Sequence, residues 1–130
     1  MVHISRTTDP LSEQMIITLV GDIDLSAVAN VRSTFHEVIN DGFYSVLVDL
    51  ADVTFVDSAA LGILIGLHRR CTEKGGACVL VNPRLEVSRI LSLSGLDVLL
   101  NIAADTETAI AAANTLATTD SATNGAGASR

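Results

Sequence analysis

Apolar residues along this chain follow two rhythms. Short runs rich in Val, Leu and Ile occur at residues 15–20 (MIITLV), 46–50 (VLVDL), 78–81 (CVLV) and 98–102 (VLLNI), each bounded by Gly, Pro, Asn or Asp. Runs of this length and composition predict buried strands. Residues 2–7 alternate more loosely and predict a further strand, paired with 15–20 as a hairpin across 8–14. Between the runs the period lengthens to that of a helix. Val28, Val31, Phe35, Val38 and Ile39 lie on one stripe, with Asp24 or Ser26 placed to cap its start and Asp41-Gly42 to end it. Residues 58–72 are apolar on most sides and predict a largely buried helix that stops at Gly75-Gly76. A third helix is expected from Pro83, in the first helical position, to Ser94-Gly95, and a fourth from Asp105 through Leu116.

Strand and helix alternating in this way imply parallel βαβ units with right-handed crossovers. Adding the hairpin makes the sheet mixed. The expected architecture is one α/β domain with a mixed sheet of four to five strands packed by about four helices. With 130 residues the chain is the size of one domain. That domain is expected over residues 1–117. The remainder, 118–130 (TTDSATNGAGASR), has no apolar periodicity and is expected to be a disordered tail.

Charge alters the picture through its distribution. The formal net charge is −7. Residues 1–60 carry two bases (Arg6, Arg32) and nine acids, whereas residues 61–130 carry six of each. A chain this acidic repels phosphate backbones, so nucleic acid is excluded as a direct ligand. With 3 % aromatic residues and no Trp there is little to stack a base upon. No run reaches the length of a membrane span, and the first residues lack the layout of a signal peptide, so a cytoplasmic protein is expected. Cys71 and Cys78 have no metal-ligand spacing and read as two reduced, buried thiols. His3, His36 and His68 fall in different elements, and no metal or cofactor is expected.

The stretch that carries chemistry is 46–66, V-L-V-D-L-A-D-V-T-F-V-D-S-A-A-L-G-I-L-I-G. A strand is expected to end at Leu50, an acidic connection follows, and Asp57-Ser58 opens the apolar helix. Asp57 stands where an N-cap belongs. Ser58 then sits at a helix N-terminus, whose free amides favour an added anion. Local spacing alone is equally satisfied by ordinary capping, worth about 1 kcal/mol.

Asp49-Leu50-Ala51-Asp52-Val53-Thr54-Phe55-Val56-Asp57-Ser58 followed by Leu61-Gly62-Ile63-Leu64-Ile65-Gly66 resembles the signature of STAS-domain anti-sigma factor antagonists. In that family the pattern is D-L-S-x-V-x-F-x-D-S-[ST]-G-L-G-x-L-x-G, and the Ser after the second Asp accepts a phosphoryl group. Gly21-Asp22-Ile23-Asp24-Leu25 is similar to the family's G-E-L-D-L element. The resemblance covers nearly all the chain outside the tail. It implies a partner switch with no catalysis of its own. The unphosphorylated antagonist binds an anti-sigma factor, a serine kinase of the histidine-kinase ATPase type, and so frees a sigma factor. Phosphorylation breaks that complex and a PPM-type phosphatase restores it. Carried over, Ser58 is the phosphoacceptor and Asp57 orients its hydroxyl. Asp22, Asp24, Asp57, Ala59, Ala60 and Leu61 form the partner-facing set.

Two positions depart from the family pattern. Its second Ser/Thr is Ala59 here, and the following Gly is Ala60. The first change leaves Ser58 as the sole hydroxyl of the motif. The second is expected to forbid left-handed backbone and to add a methyl group near the interface. A non-phosphorylated STAS scaffold or ligand-sensing module therefore stays open as the alternative. A receiver domain would use Asp49 at a strand end with Asp22 and Asp24 as its acidic pair, but residues 98–105 lack the Lys it needs. No G-x-S-x-G, G-x-x-x-x-G-K-[ST] or G-x-G-x-x-G motif occurs, and nothing suggests a triad around Ser58.

Overall fold

The computed structural model describes residues 2–126, with side chains through residue 117. Five strands, β1 (Val2–Thr8), β2 (Met15–Ile23), β3 (Ser45–Val56), β4 (Ala77–Val81) and β5 (Asn101–Ala103), form one sheet in the order β1-β2-β3-β4-β5. β1 is antiparallel to β2, and every other neighbouring pair is parallel. Five helices connect them: α1 (Leu25–Asn40), α2 (Ser58–Glu73), α3 (Leu85–Leu93), α4 (Leu96–Leu99) and α5 (Thr106–Ala126). The mixed α/β sheet expected from the pattern is therefore present.

Both faces of the sheet are covered, which is why β4 is buried at all five residues. On one face Ile17, Leu19, Val48 and Leu50 pack with Val31 and Phe35 of α1, Leu64 and Leu67 of α2, and Val87 and Leu91 of α3. On the other, Leu47, Val79 and Val81 pack with Ala109 and Ala113 of α5, whose small side chains allow close approach. Beside α5, buried Gln14 donates from Nε2 to Asn114 Oδ1 at 2.8 Å.

Cys71 and Cys78 are buried free thiols, as expected. Their mutual hydrogen bond, together with burial, pushes the Cys78 thiol well above its ordinary pKa. It therefore stays protonated.

Several boundaries differ from the sequence reading. β3 does not stop at Leu50 but continues to Val56, and β2 runs on to Ile23, so the acidic connection is itself strand. The reason is register: the ends of β2 and β3 pair, and the ladder accommodates two irregularities. Residues 98 and 99, read as strand, close a short helix, and β5 is confined to residues 101–103. Gly95, at φ +77°, turns the chain into α4, which buries Leu100 while leaving Val98 and Leu99 exposed. Pro83 precedes α3 rather than opening it, because the extended residue Arg84 is the N-cap. The backbone of α5 continues helically through Ala126, past the expected start of the tail at Thr118. A helix anchored on the sheet through Ala109 and Ala113 can extend beyond its packed turns, since each added residue costs less than the nucleus. Residues 127–130 of that expected tail lie outside the described residues.

Candidate functional site

Two helix N-termini lie side by side where β2 and β3 leave the sheet. Asp24 caps α1: its Oδ1 accepts from the Ser26 hydroxyl at 2.6 Å, the Ser26 amide at 3.1 Å and the Ala27 amide at 3.3 Å. Asp57 caps α2, accepting from the Ala60 amide at 2.9 Å. Both caps have extended backbone, as N-caps do. The Asp57 amide donates to the Ile23 carbonyl at 3.3 Å and ties one cap to the residue before the other. The hydroxyl of Ser26 and the first-turn amides hold the Asp24 carboxyl below its ordinary pKa.

This alignment depends on β-bulges. Thr18 pairs with Asp49 and Val20 with Asp52, so two residues of β3 face Leu19. Gly21 then pairs with Val53 and Asp22 with Phe55, which leaves Thr54 unpaired. At the first bulge the Asp49 carboxylate accepts from the Ala51 amide at 2.9 Å. At the second the Thr54 hydroxyl donates to Asp22. A bulge twists a strand and re-aims its side chains. Here Thr54 and Phe55 are both exposed in succession, breaking the alternation of inward and outward residues.

Ser58 is the first residue of α2 and is exposed, with Asp57 half-buried beside it. Asp22 is exposed at the edge of the site. Ala59 and Leu61 are half-buried and reach the surface. Ala60 does not belong with them. It is 1 % exposed and packs in the core, so its expected place on the partner-facing surface is corrected. Its amide serves Asp57, and its methyl turns inward because the helical period sends that residue toward the sheet. Position 60 also lies in right-handed helix, so alanine there meets no backbone penalty and adds nothing to the surface. Asp49 is interior to β3, away from any strand end, which removes the geometry of a receiver phosphoacceptor.

Pattern reading missed two residues at this edge. Leu25, the first residue of α1, is 77 % exposed and Phe55 is 46 % exposed. Both apolar side chains flank the acidic cluster. Phe55 had no local signal, since only the bulge turns it outward. Among the described residues no group of His, Cys, Asp and Glu is arranged to hold a metal ion, and no helix is long and apolar enough to cross a membrane.

With its parallel sheet, antiparallel edge strand and paired caps around Ser58, the chain matches the STAS domain over residues 4–109. It belongs to the STAS domain family. A protein of Thermotoga maritima, provisionally named an anti-sigma factor antagonist, is 35 % identical over 68 residues, 52 % of this chain. The matched stretch spans 60 % of that relative's own length. The anti-sigma F factor antagonist of Lysinibacillus sphaericus is 28 % identical over 85 residues, 65 % of this chain and 73 % of that protein. Among solved structures, the Bacillus cell-fate determinant SpoIIAA in its phosphorylated form superposes with a TM-score of 0.65 at 25 % identity, covering 83 % of this chain and 96 % of that one.

Proposed function

We propose that this chain is an anti-sigma factor antagonist that works by partner switching. Unphosphorylated, it binds an anti-sigma factor and so releases a sigma factor. Phosphorylation of Ser58 ends that binding. The observation that carries the reading is the exposure of Ser58 at the first position of α2, directly after the capping carboxylate Asp57. The names of its relatives support the partner, and the phosphorylated form of SpoIIAA supports the modification. The partner on this reading is a serine kinase of the histidine-kinase ATPase type, and a PPM-type phosphatase reverses the modification. The domain itself catalyses nothing. It is a cytoplasmic regulator of stress-responsive transcription.

The physics of the switch is simple. Phosphate adds about −1.5 to −2 charges. A unit charge about 7 Å from a carboxylate experiences roughly 2 kcal/mol of repulsion at an effective dielectric near 20, before screening. Since about 1.4 kcal/mol is tenfold in affinity, one or two acidic neighbours suffice to dissociate a micromolar complex. Asp57 already occupies the Ala60 amide, so the rest of the first turn offsets about 0.3–1 kcal/mol of the added charge. The interface weakens while the fold persists. Leu25 and Phe55 give the same edge apolar anchors beside its charges.

The test is incubation with ATP and purified anti-sigma kinases from the host, followed by intact mass and site mapping. One phosphate on Ser58 is expected, and none on Ser58→Ala. Ser58→Glu should lose kinase binding while Ser58→Ala keeps it. Tight binding with Ser58 never modified would favour a scaffold role, and absence of binding to every such kinase would refute the partner switch.

A further inference from the structure

A groove runs between α1 and α2, starting at Ala59, the residue after Ser58. Its volume is about 470 Å³. Ala59, Gly62 and Gly66 of α2 line it together with buried Phe35 and Ile63, and its charged or titratable lining is Arg32 and His36 of α1 and Arg70 of α2. Beyond His36 and Arg70 it continues into a second hollow of about 210 Å³ that reaches Asn40. At 1.5 Å per residue, the stretch from Ala59 to Arg70 is about 16 Å, or three turns of helix.

The groove inverts the charge of the half-chain around it. Of the two bases in residues 1–60, Arg6 is neutralised by Glu37 at 3.3 Å and Asp41 at 2.8 Å. Arg32 is exposed and, among the described residues, has no carboxylate within 4.0 Å; the same holds for Arg70. No acid lines the groove. Cations left unpaired on an acidic protein form a surface complementary to an acidic partner.

The two glycines point to the shape of that partner. A Cβ added at Gly62 or Gly66 would meet nothing within 4 Å, so the packing of the domain does not require glycine at either position. Interior glycine weakens a helix relative to alanine. What the two glycines leave is room for another backbone to approach α2 closely. We infer that the α1–α2 groove seats an acidic amphipathic helix of a partner protein, small residues against Gly62 and Gly66 and carboxylates against Arg32, His36 and Arg70. A second copy of this chain docked face to face would set Arg against Arg, which the charges forbid. A small anion would leave the trough mostly unfilled and the exposed guanidinium groups solvated, whereas a helix covers three turns at once. The inference does not rest on Ser58 being modified.

The probe is a synthetic alanine-rich helical peptide of about 18 residues, long enough to hold helix, with Glu at i, i+4 and i+7 on one face. It is titrated into the isotope-labelled full chain and followed by amide NMR. Saturable shifts centred on Gly62 and Gly66 are expected. They should weaken at least tenfold in Arg32→Glu/Arg70→Glu, while the same peptide with Lys for Glu binds that variant and not the parent. Gly66→Ala should raise Tm yet lose peptide binding, a combination that a purely structural role for the glycine would not produce. No saturable shift up to about 1 mM peptide at low salt, the weak limit of specific recognition, overturns the inference. So does equal saturation by citrate alone, which would mark the groove as a small-anion site.

Discussion

The Asp57 amide donates to the carbonyl of Ile23 at 3.3 Å, so the cap of α2 hangs from the residue that immediately precedes the cap of α1. Asp24 and Asp57 are thereby joined at the carboxyl ends of the interior strands β2 and β3, and Ser58 follows Asp57 on a packed scaffold. A site placed on paired strand ends and helix starts keeps its geometry when its charge changes, which is what a switch by phosphorylation requires.

The cap of α2 should therefore be measurable by itself. Asp57→Ala removes the acceptor of the Ala60 amide and should cost about 1 kcal/mol of stability in urea unfolding, while Asp57→Asn should recover most of it. Ser58→Ala, at an exposed residue with no cap bond of its own, should move stability by less than about 0.5 kcal/mol.

Asp24 predicts a pH dependence with a definite sign. Its carboxyl is held low by the Ser26 hydroxyl, so its folded pKa lies below that of an ordinary aspartate. Such a group contributes stability that is present above the unfolded value and lost as pH falls through the folded one. Stability should drop below about pH 4 more steeply in the parent than in Asp24→Asn. The Asp24 carbon resonance in Ser26→Ala should titrate at higher pH than in the parent.

His68 acts in a neighbouring window. Burial lowers its pKa below that of an ordinary imidazole, and its Nδ1 is buried without a partner among the described residues. The folded state therefore disfavours the imidazolium, and stability should decline as pH falls below about 6.5. His68→Leu should flatten that decline in unfolding experiments between pH 7 and 5. An unchanged slope would show that the ring protonates freely in place.

Glycines here divide by what surrounds them. At Gly76 a Cβ would lie 1.8 Å from the Tyr44 carbonyl oxygen, a backbone atom that cannot swing away. Gly76→Ala should cost about 1–3 kcal/mol or more, read as a fall in the midpoint of denaturation. Gly62→Ala, facing open space in mid-helix, should stabilise by roughly 0.5–1 kcal/mol.

Partner association should respond to the acidic edge. Asp22 is exposed and held by Thr54. Asp22→Lys should slow association with the proposed anti-sigma factor partner severalfold at low salt, with the difference fading as salt rises and the Debye length shortens. Equal rates for parent and variant at every salt concentration would remove this edge from the docking face.

The sequence by itself determined the elements whose signals are local. Asp57 was legible as a cap, and the cap of α1 was narrowed to Asp24 or Ser26, because an N-cap bonds amides two or three residues away. The stripe of α1, the fully apolar β4 and the motif around Ser58 were legible for the same reason. Tertiary structure decided the rest. The two bulges of β3 exist only where β2 lies alongside, and they alone expose Phe55 and set Asp22 against Thr54. The direction of Ala60 depended on how α2 packs on the sheet, which no spacing in the motif records. Arg32 and Arg70 are far apart in the chain and share a groove only because α1 and α2 pack side by side. Capping is contact chemistry within one turn, whereas register and helix packing are settled by burying one common core, so residues distant in sequence acquire their roles together.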